Sequence, residues 1–364
     1  MTSYLLAGGG TAGHVNPLLA VATEIRSRDA HAQILFIGTR EGLESQLVPA
    51  AGFEIEYIAR LPFPRRPDAR AWRFVRGWRR TVDRVEAVIA EHDIDVVFGV
   101  GGYVAAPVYA AARRTGRPIV IHEANARPGL ANRWAARFAR AVGFAIRGTK
   151  IRGGVWVGMP LRSSISSLNV ASRRAQARRS FGLDPKRPVL LVTGGSLGAR
   201  RINAVVSSTA EHFLAAGWQI LHITGARDEG FVQQLGDGHV VMAYCNRMDD
   251  ALAAATFAIS RAGSSTVAEL SALGIPALLV PYASGNGEQA LNALPLAAAG
   301  GCRTIDDKHF TSEWVTANLL PLLRNQDELD AMGTASAREG TRDGTARTVD
   351  LIGEALEQTG SLST

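Results

Sequence analysis

An α/β fold of two doubly wound parallel-sheet domains is what this sequence predicts, and three observations predict it. An apolar run, Tyr4-Leu5-Leu6-Ala7, leads into Gly8-Gly9-Gly10-Thr11-Ala12-Gly13-His14, and a helical pattern begins near Pro17. A second run, Pro188 to Thr193, leads in the same way into Gly194-Gly195-Ser196-Leu197-Gly198. After each loop, short apolar runs alternate with longer helical patterns, which is the signature of a parallel sheet. The chain's 364 residues suit two domains of roughly 150–200 residues. With 46% apolar and 20% charged residues, each half can bury a core.

The elements follow in order. The first helix runs to about Arg28, and Ile34–Ile37 is the next strand. Residues 43–51 are helical, and 54–58 alternate into a third strand. Leu61-Pro62-Phe63-Pro64-Arg65-Arg66-Pro67 is a loop. A long helix from Ala71 to His92 carries a stripe of Trp72, Val75, Val82, Val85 and Ile89, whose helical spacing marks it as core. The strand Val96–Phe98 precedes another glycine turn, Gly99-Val100-Gly101-Gly102-Tyr103, and a helix. Pro118–Ile121 is a buried strand with His122-Glu123-Ala124-Asn125 at its carboxyl end, followed by a helix near 130–140 and a strand at 141–145. Val157 to Arg162 reads as an exit strand and Ser163 to Ser167 as a polar hinge, giving domains 1–162 and 163–364. Strands near 188–193, 219–224, 239–243, 257–260 and 277–280 restart the alternation. The remainder is mostly helical, and whether the last helix packs back on the first domain is left open.

Two cysteines, Cys245 and Cys302, make neither a disulfide framework nor a metal spacing, as expected in a reducing cytosol. The N-terminus has no basic n-region, and no apolar run approaches the ~18 residues of a spanning helix. A soluble protein, or one lying on a membrane surface, is expected. The net charge of +7 favours acidic partners: phosphorylated substrates, anionic lipid or nucleic acid. Arg60 to Arg80 holds eight arginines against one acid, Asp68, with Phe63, Trp72, Phe74 and Trp78 interleaved. Exposed Phe63, Phe74 and Trp78 among arginines suit an anionic bilayer. No recognition-motif pattern supports RNA, so nucleic acid is not expected as a partner.

Both glycine loops join a strand to a helix N-terminus, where backbone N–H groups converge on an anion. Gly8-x-Gly10-x-x-Gly13 also matches a dinucleotide fingerprint, but the second strand ends in Gly38-Thr39-Arg40 without the acid that would hold a ribose. Gly194-x-Ser196-x-Gly198 matches a nucleophile elbow, for which only His309 lies in a plausible loop. Ser196 is better read as a hydroxyl donor to phosphate. Asp93-Ile94-Asp95 precedes its strand and lies at the wrong sheet edge for a metal site. Arg261 to Glu269 again places small residues at a helix start after a strand, and Glu269 has the position to accept from ribose hydroxyls. As a first-turn acid it equally suits the helix dipole. Gln289, after the polar turn 285–288, can read sugar hydroxyls or belong to a plain N-cap region.

Together these stretches resemble one family, MurG, the transferase that moves N-acetylglucosamine from UDP-N-acetylglucosamine to lipid I and so makes lipid II for bacterial peptidoglycan. The resemblance covers Gly9 to Val15, Gly101-Gly102-Tyr103, His122 to Asn125, Val157 to Arg162, Gly194 to Arg200, Arg261 to Glu269 and Gln289 to Ala293, in the family's order. It implies a GT-B fold, two Rossmann-like domains facing across a cleft, with no metal and no cofactor. It implies donor contacts from Thr11, Ala12, Gly13, Asn125, Arg162, Ser196, Ser264, Ser265, Thr266, Glu269 and Gln289, with Glu269 on the ribose and Gln289 on the sugar. Gly10, Thr11, Gly13 and Tyr103 are the positions implied for the acceptor's pyrophosphate. Two departures stand out: Ala12 replaces a glycine frequent in the family, and Glu288 stands where some members carry glutamine.

The implied reaction inverts the anomeric carbon and needs one base for the acceptor's 4-hydroxyl. His14 is the first candidate, since imidazole titrates near neutral pH; Glu123 is the second. The second loop's helix dipole, with Arg162, is expected to meet the leaving diphosphate. The resemblance also implies a peripheral protein on the cytoplasmic face of the cell membrane, serving cell-wall growth, cell shape and division. Two other readings stay open: a GT-B transferase with a different lipid or small-molecule acceptor, and a nucleotide-sugar-binding protein without turnover.

Overall fold

The computed structural model describes residues 1–61, 69–195, 198–282 and 287–360, with backbone alone for Ala12, 69–73 and 359–360. The chain divides into two units, Met1–Arg162 with Asp343–Thr364, and Ser163–Arg342.

The first unit is built on seven parallel strands: β1 Ser3–Ala7, β2 Gln33–Gly38, β3 Glu54–Tyr57, β4 Val96–Gly99, β5 Ile119–Glu123, β6 Ala141–Phe144 and β7 Gly154–Trp156. Their order is β3-β2-β1-β4-β5-β6-β7. Side chains alternate between the two sheet faces, and both faces are covered, which is why the strands read as unbroken apolar runs. Leu5, Leu35, Val97 and Ile121 belong to one core with Val82, Val85 and Ile89 of helix Ala69–Glu91 and Val104 and Val108 of helix Gly102–Arg114. Leu6, Phe36, Phe98 and Val120 belong to the other, with Val15, Leu18 and Ile25 of helix Ala12–Arg28. Ile352 and Ala355 complete that second core from the last helix, Gly344–Gly360.

The second unit has six parallel strands: β8 Val189–Thr193, β9 Gln219–Ile223, β10 His239–Met242, β11 Phe257–Ser260, β12 Ala277–Leu279 and β13 Cys302–Thr304, ordered β10-β9-β8-β11-β12-β13. Leu190, Val192, Ile220 and Ile259 pack there with Ile202, Val206 and Phe213 of helix Arg200–Ala215. In both units the winding reverses between the first and fourth strands. A loop leaving the carboxyl end of a strand at such a switch point is where this class of sheet binds ligands. The loops after β1 and β4, and after β8 and β11, are the small-residue loops of the sequence.

Four expectations need correction. Val157 to Arg162 is not a strand: β7 lies just before it, and Gly158 takes φ +82°, off the β region, ahead of Pro160. The strand β13 went unread because two of its three residues, Arg303 and Thr304, are exposed. The helix expected near 130–140 spans only Leu130–Ala135. Within the arginine-rich helix Val75 is exposed rather than core, while Phe74 and Trp78 are half-buried, Trp78 against the first core. Phe63 and the side chain of Trp72 lie outside the described residues.

Candidate active site

The first glycine loop is folded around a buried carboxylate. Glu44, at the start of helix Glu44–Ala50, is 1% exposed. Among the described residues three donors reach it: Gly10 N–H on Oε2 at 2.8 Å, and Thr39 N–H and Thr39 Oγ1–H on Oε1 at 2.9 Å each. A Cβ on Gly9, Gly38 or Gly42 would collide with the Glu44 side chain, so these glycines make the hollow it fills. Gly10, at φ +94°, needs glycine's freedom as well. Thr39 Oγ1 lies 3.1 Å from the Tyr103 hydroxyl, which ties the loop after β2 to the turn after β4. Thr11 is the N-cap of helix Ala12–Arg28, with its hydroxyl 3.3 Å from His14 Nδ1.

A second network underlies the β4 and β5 loops. Gly101 N–H donates to the Tyr109 hydroxyl at 3.3 Å, and that hydroxyl donates to Asn132 Oδ1 at 2.9 Å. Asn132 Nδ2 in turn donates to Glu123 Oε2 at 2.9 Å and to the His122 carbonyl at 3.2 Å. Glu123 also accepts Asn125 N–H on Oε1 at 2.9 Å and Gly129 N–H on Oε2 at 3.0 Å. Burial raises its carboxyl above the usual range, against the pull of these bonds. His122 Nε2 lies 2.9 Å from the Gly158 carbonyl, and burial pushes its imidazole down to about 4.

In the second unit Gly195 N–H donates to Thr193 Oγ1 at 3.2 Å, and Gly198 N–H closes the loop on the Gly195 carbonyl at 3.0 Å. Asn203 holds the underside: its Nδ2 donates to the Thr224 carbonyl and to Asp228 Oδ2, both at 2.9 Å. Arg261 Nη1 donates to the Val280 carbonyl at 3.0 Å and to Asp307 Oδ1 at 2.5 Å. It therefore knits the ends of β11 and β12 together. Gly263 caps helix Ser264–Leu273, on which Ser264 is buried and Ser265, Thr266 and Glu269 are half-buried. Gln289 Oε1 accepts Tyr282 N–H at 2.9 Å.

Residues 4–144 match the glycosyltransferase family 28 N-terminal domain and residues 189–348 the glycosyltransferase family 28 C-terminal domain. Over 358 residues the chain is 55% identical to the UDP-N-acetylglucosamine–N-acetylmuramyl-(pentapeptide) pyrophosphoryl-undecaprenol N-acetylglucosamine transferase of Clavibacter michiganensis subsp. michiganensis (strain NCPPB 382), covering 98% of this chain and 97% of that one. The chain belongs to the MurG family of family 28 glycosyltransferases. The Nocardioides sp. (strain ATCC BAA-499 / JS614) protein of the same name is 46% identical over 352 residues, 96% of each chain. MurG of Acinetobacter baumannii superposes with a TM-score of 0.79 at 26% identity, covering 97% of this chain and 100% of that one. UDP-GlcNAc 2-epimerase from Neisseria meningitidis, at 14% identity and TM-score 0.68 over 97% and 100% of the two chains, shares the fold.

In this MurG-family chain Gly10, Thr11, Gly13, His14 and Tyr103 gather at the switch point of the first unit. Glu123 ends β5 and Asn125 lies in the loop that follows it. Arg162 ends the first unit's main segment, and the residues of 264–269 and Gln289 lie in the second unit. Ser196 lies outside the described residues, as does the side chain of Ala12. The Gly10 N–H donates to Glu44. Of the nucleophile-elbow partners, His309 is exposed, 3.8 Å from Asp306. Asp95 accepts Ser3 N–H at 2.8 Å at the entry of β1. Sequence reading missed Glu44, Thr39, Asn132 and Asn203. Glu44 carries no local signal, since an acid in a first helical turn is ordinary.

Proposed function

We propose that this chain transfers N-acetylglucosamine from UDP-N-acetylglucosamine to the 4-hydroxyl of lipid-linked N-acetylmuramic acid, converting lipid I to lipid II with inversion. Near full-length identity to relatives named for that transfer carries the reading. A family 28 transferase with another acceptor would share the donor half; near full-length identity extends to the acceptor half too.

The acceptor hydroxyl oxygen attacks the anomeric carbon, the carbon–oxygen bond to UDP breaks, and the hydroxyl proton passes to a base. His14 is that base. Its Nδ1 faces Thr11 Oγ1, and with the ring proton donated there, Nε2 carries the lone pair that takes the substrate proton. Glu123 is a positioning residue instead: both oxygens receive bonds from its own loop and from Asn132. The helix start after β1, with Thr11 and Gly13, offers N–H groups to the acceptor's pyrophosphate. Ser196, Ser264, Ser265, Thr266 and Glu269 hold the UDP moiety, and Gln289 the sugar. Tyr282 N–H occupies the Gln289 carbonyl oxygen and orients its amide nitrogen toward a hydroxyl. Thr11, Ala12, Gly13, Asn125 and Arg162 complete the donor contacts.

The protein works at the cytoplasmic face of the membrane as a peripheral protein. Among the described residues no helix is long and apolar enough to cross a bilayer. Exposed Val75 beside exposed Arg76, Arg79 and Arg80 offers a surface to anionic lipid. The test is UDP release from UDP-N-acetylglucosamine, with and without a lipid I analogue. Acceptor-dependent release is expected; donor binding without release would leave a binding protein, and release with unrelated acceptors alone would sink the lipid I assignment.

A further inference from the structure

Hydrogen-bond directions beneath the first glycine loop follow from donor and acceptor chemistry. Thr39 N–H on Oε1 and Gly10 N–H on Oε2 make both Glu44 oxygens acceptors. Thr39 Oγ1 has one hydrogen, and it goes to Glu44 Oε1. With that hydrogen spent, Thr39 Oγ1 accepts from Tyr103, 3.1 Å away. The Tyr103 proton is therefore turned inward, and the phenol oxygen presents lone pairs to whatever lies outside. Half-buried Tyr103 still reaches the surface. An oxyanion is bound by donors. Of the four positions the family resemblance assigns to pyrophosphate, Gly10 and Tyr103 thus point their hydrogens away from it.

We propose that Glu44, through Thr39, fixes Tyr103 as a hydrogen-bond acceptor, so that Tyr103 takes a hydroxyl or amide hydrogen of the acceptor's sugar rather than its pyrophosphate. The inference rests on the functional reading above for the identity of the substrate, and on the geometry alone for the polarity. It makes Glu44 and Thr39 positioning residues and Tyr103 a specificity determinant. The hollow formed by Gly9, Gly38 and Gly42 is what allows a carboxylate to sit directly under an anion-binding loop. Spending the Gly10 N–H on that carboxylate and the Tyr103 O–H on Thr39 Oγ1 separates the donors of the helix start, which suit phosphate, from an acceptor, which suits a sugar.

The test uses the full chain, the lipid I analogue, and farnesyl pyrophosphate, which has the pyrophosphate and a prenyl tail but no sugar. Farnesyl pyrophosphate affinity is read by calorimetry, independently of turnover. Tyr103→Phe should raise the KM for the lipid I analogue about ten-fold, the loss of one neutral hydrogen bond, and leave farnesyl pyrophosphate affinity unchanged. Thr39→Val should raise the same KM yet tighten farnesyl pyrophosphate, because the released Tyr103 hydroxyl can turn outward and donate. A merely structural role for Thr39 would weaken both, and parallel weakening in both variants overturns the proposal. Melting temperatures confirm that each variant folds. If the native chain shows no acceptor-dependent turnover, the functional reading fails by itself. Amide exchange at Gly10 then decides the relay: protection in the native chain that disappears in Glu44→Gln supports it, and equal exchange in the two overturns it.

Discussion

Asn132 donates its Nδ2 hydrogen to Glu123 Oε2 across 2.9 Å, while its own oxygen receives the Tyr109 hydroxyl at 2.9 Å. The carboxylate is thereby held from below, and the loop N–H groups of Asn125 and Gly129 hold it from the side. Glu123→Gln would set an amide N–H2 against donors it cannot accept. It should lower stability by about 1–3 kcal/mol, the cost of an unsatisfied buried group, while leaving the pH profile of kcat/KM unshifted. Loss of a titrating limb of that profile in Glu123→Gln would instead identify Glu123 as the base.

His14→Ala should reduce acceptor-dependent UDP release at least ~100-fold, the low end of a general-base contribution, with UDP binding retained. Thr11→Val should give a smaller loss, since it removes the partner that orients the ring through Nδ1. Full activity in His14→Ala would move the base elsewhere.

Acid should destabilise the fold early. Burial pushes the His122 imidazole down to about 4 and that of His222 to about 3, so both stay neutral when folded. The unfolded chain takes up these protons below its ordinary histidine value, near 6.5. Stability is thus complete above pH 6.5 and falls with pH through the interval down to about 4, by up to ~1.4 kcal/mol per pH unit for each histidine. Urea midpoints from pH 7.5 to 4.5 measure this. His222→Leu should flatten the slope by about one proton's worth.

Anionic vesicles should bind the chain in a salt-dependent manner. Replacing exposed Arg76, Arg79 and Arg80 with glutamine should weaken cosedimentation about 100-fold, at ~1 kcal/mol per basic residue. Undiminished binding would place the membrane contact on another surface.

Gly198 has φ +80°, and a Cβ there would run into the Thr224 carbonyl. Gly198→Ala should weaken UDP binding or lower stability by at least ~1 kcal/mol, read by calorimetry and by thermal melting. Unchanged values in both would remove this loop from the donor site.

Much of this molecule can be read from its residues in order, because a buried parallel strand must be an apolar run and a phosphate loop must be small. Leu5, Phe36, Phe98 and Ile121 announce their strands, and Gly10 and Gly198 announce their turns. What escapes such reading has no local mark. Glu44 looks like a helix-start acid until Gly9, Thr39 and Gly42 close around it. Asn132 and Asn203 look like helix-surface amides, and only the tertiary fold shows them sealed under loops. Arg303 and Thr304, exposed on an edge strand, give no apolar signal. Val75 matched a helical stripe yet is exposed, whereas Val82, Val85 and Ile89 of the same helix are buried in the first core.

The helix Gly344–Gly360 carries a consequence for how the protein is made. It closes the core containing Leu6, Phe36 and Phe98, whose strands are synthesised more than two hundred residues earlier. A ribosome therefore finishes the entire second unit while the first still shows an uncovered apolar flank. The intervening segment, Ser163–Arg342, begins and ends at the boundaries of its own unit, like a parenthesis set into the first. Folding of the first unit can be completed only after the parenthesis closes, which makes the nascent chain's greatest exposure to chaperones and proteases a property of its connectivity.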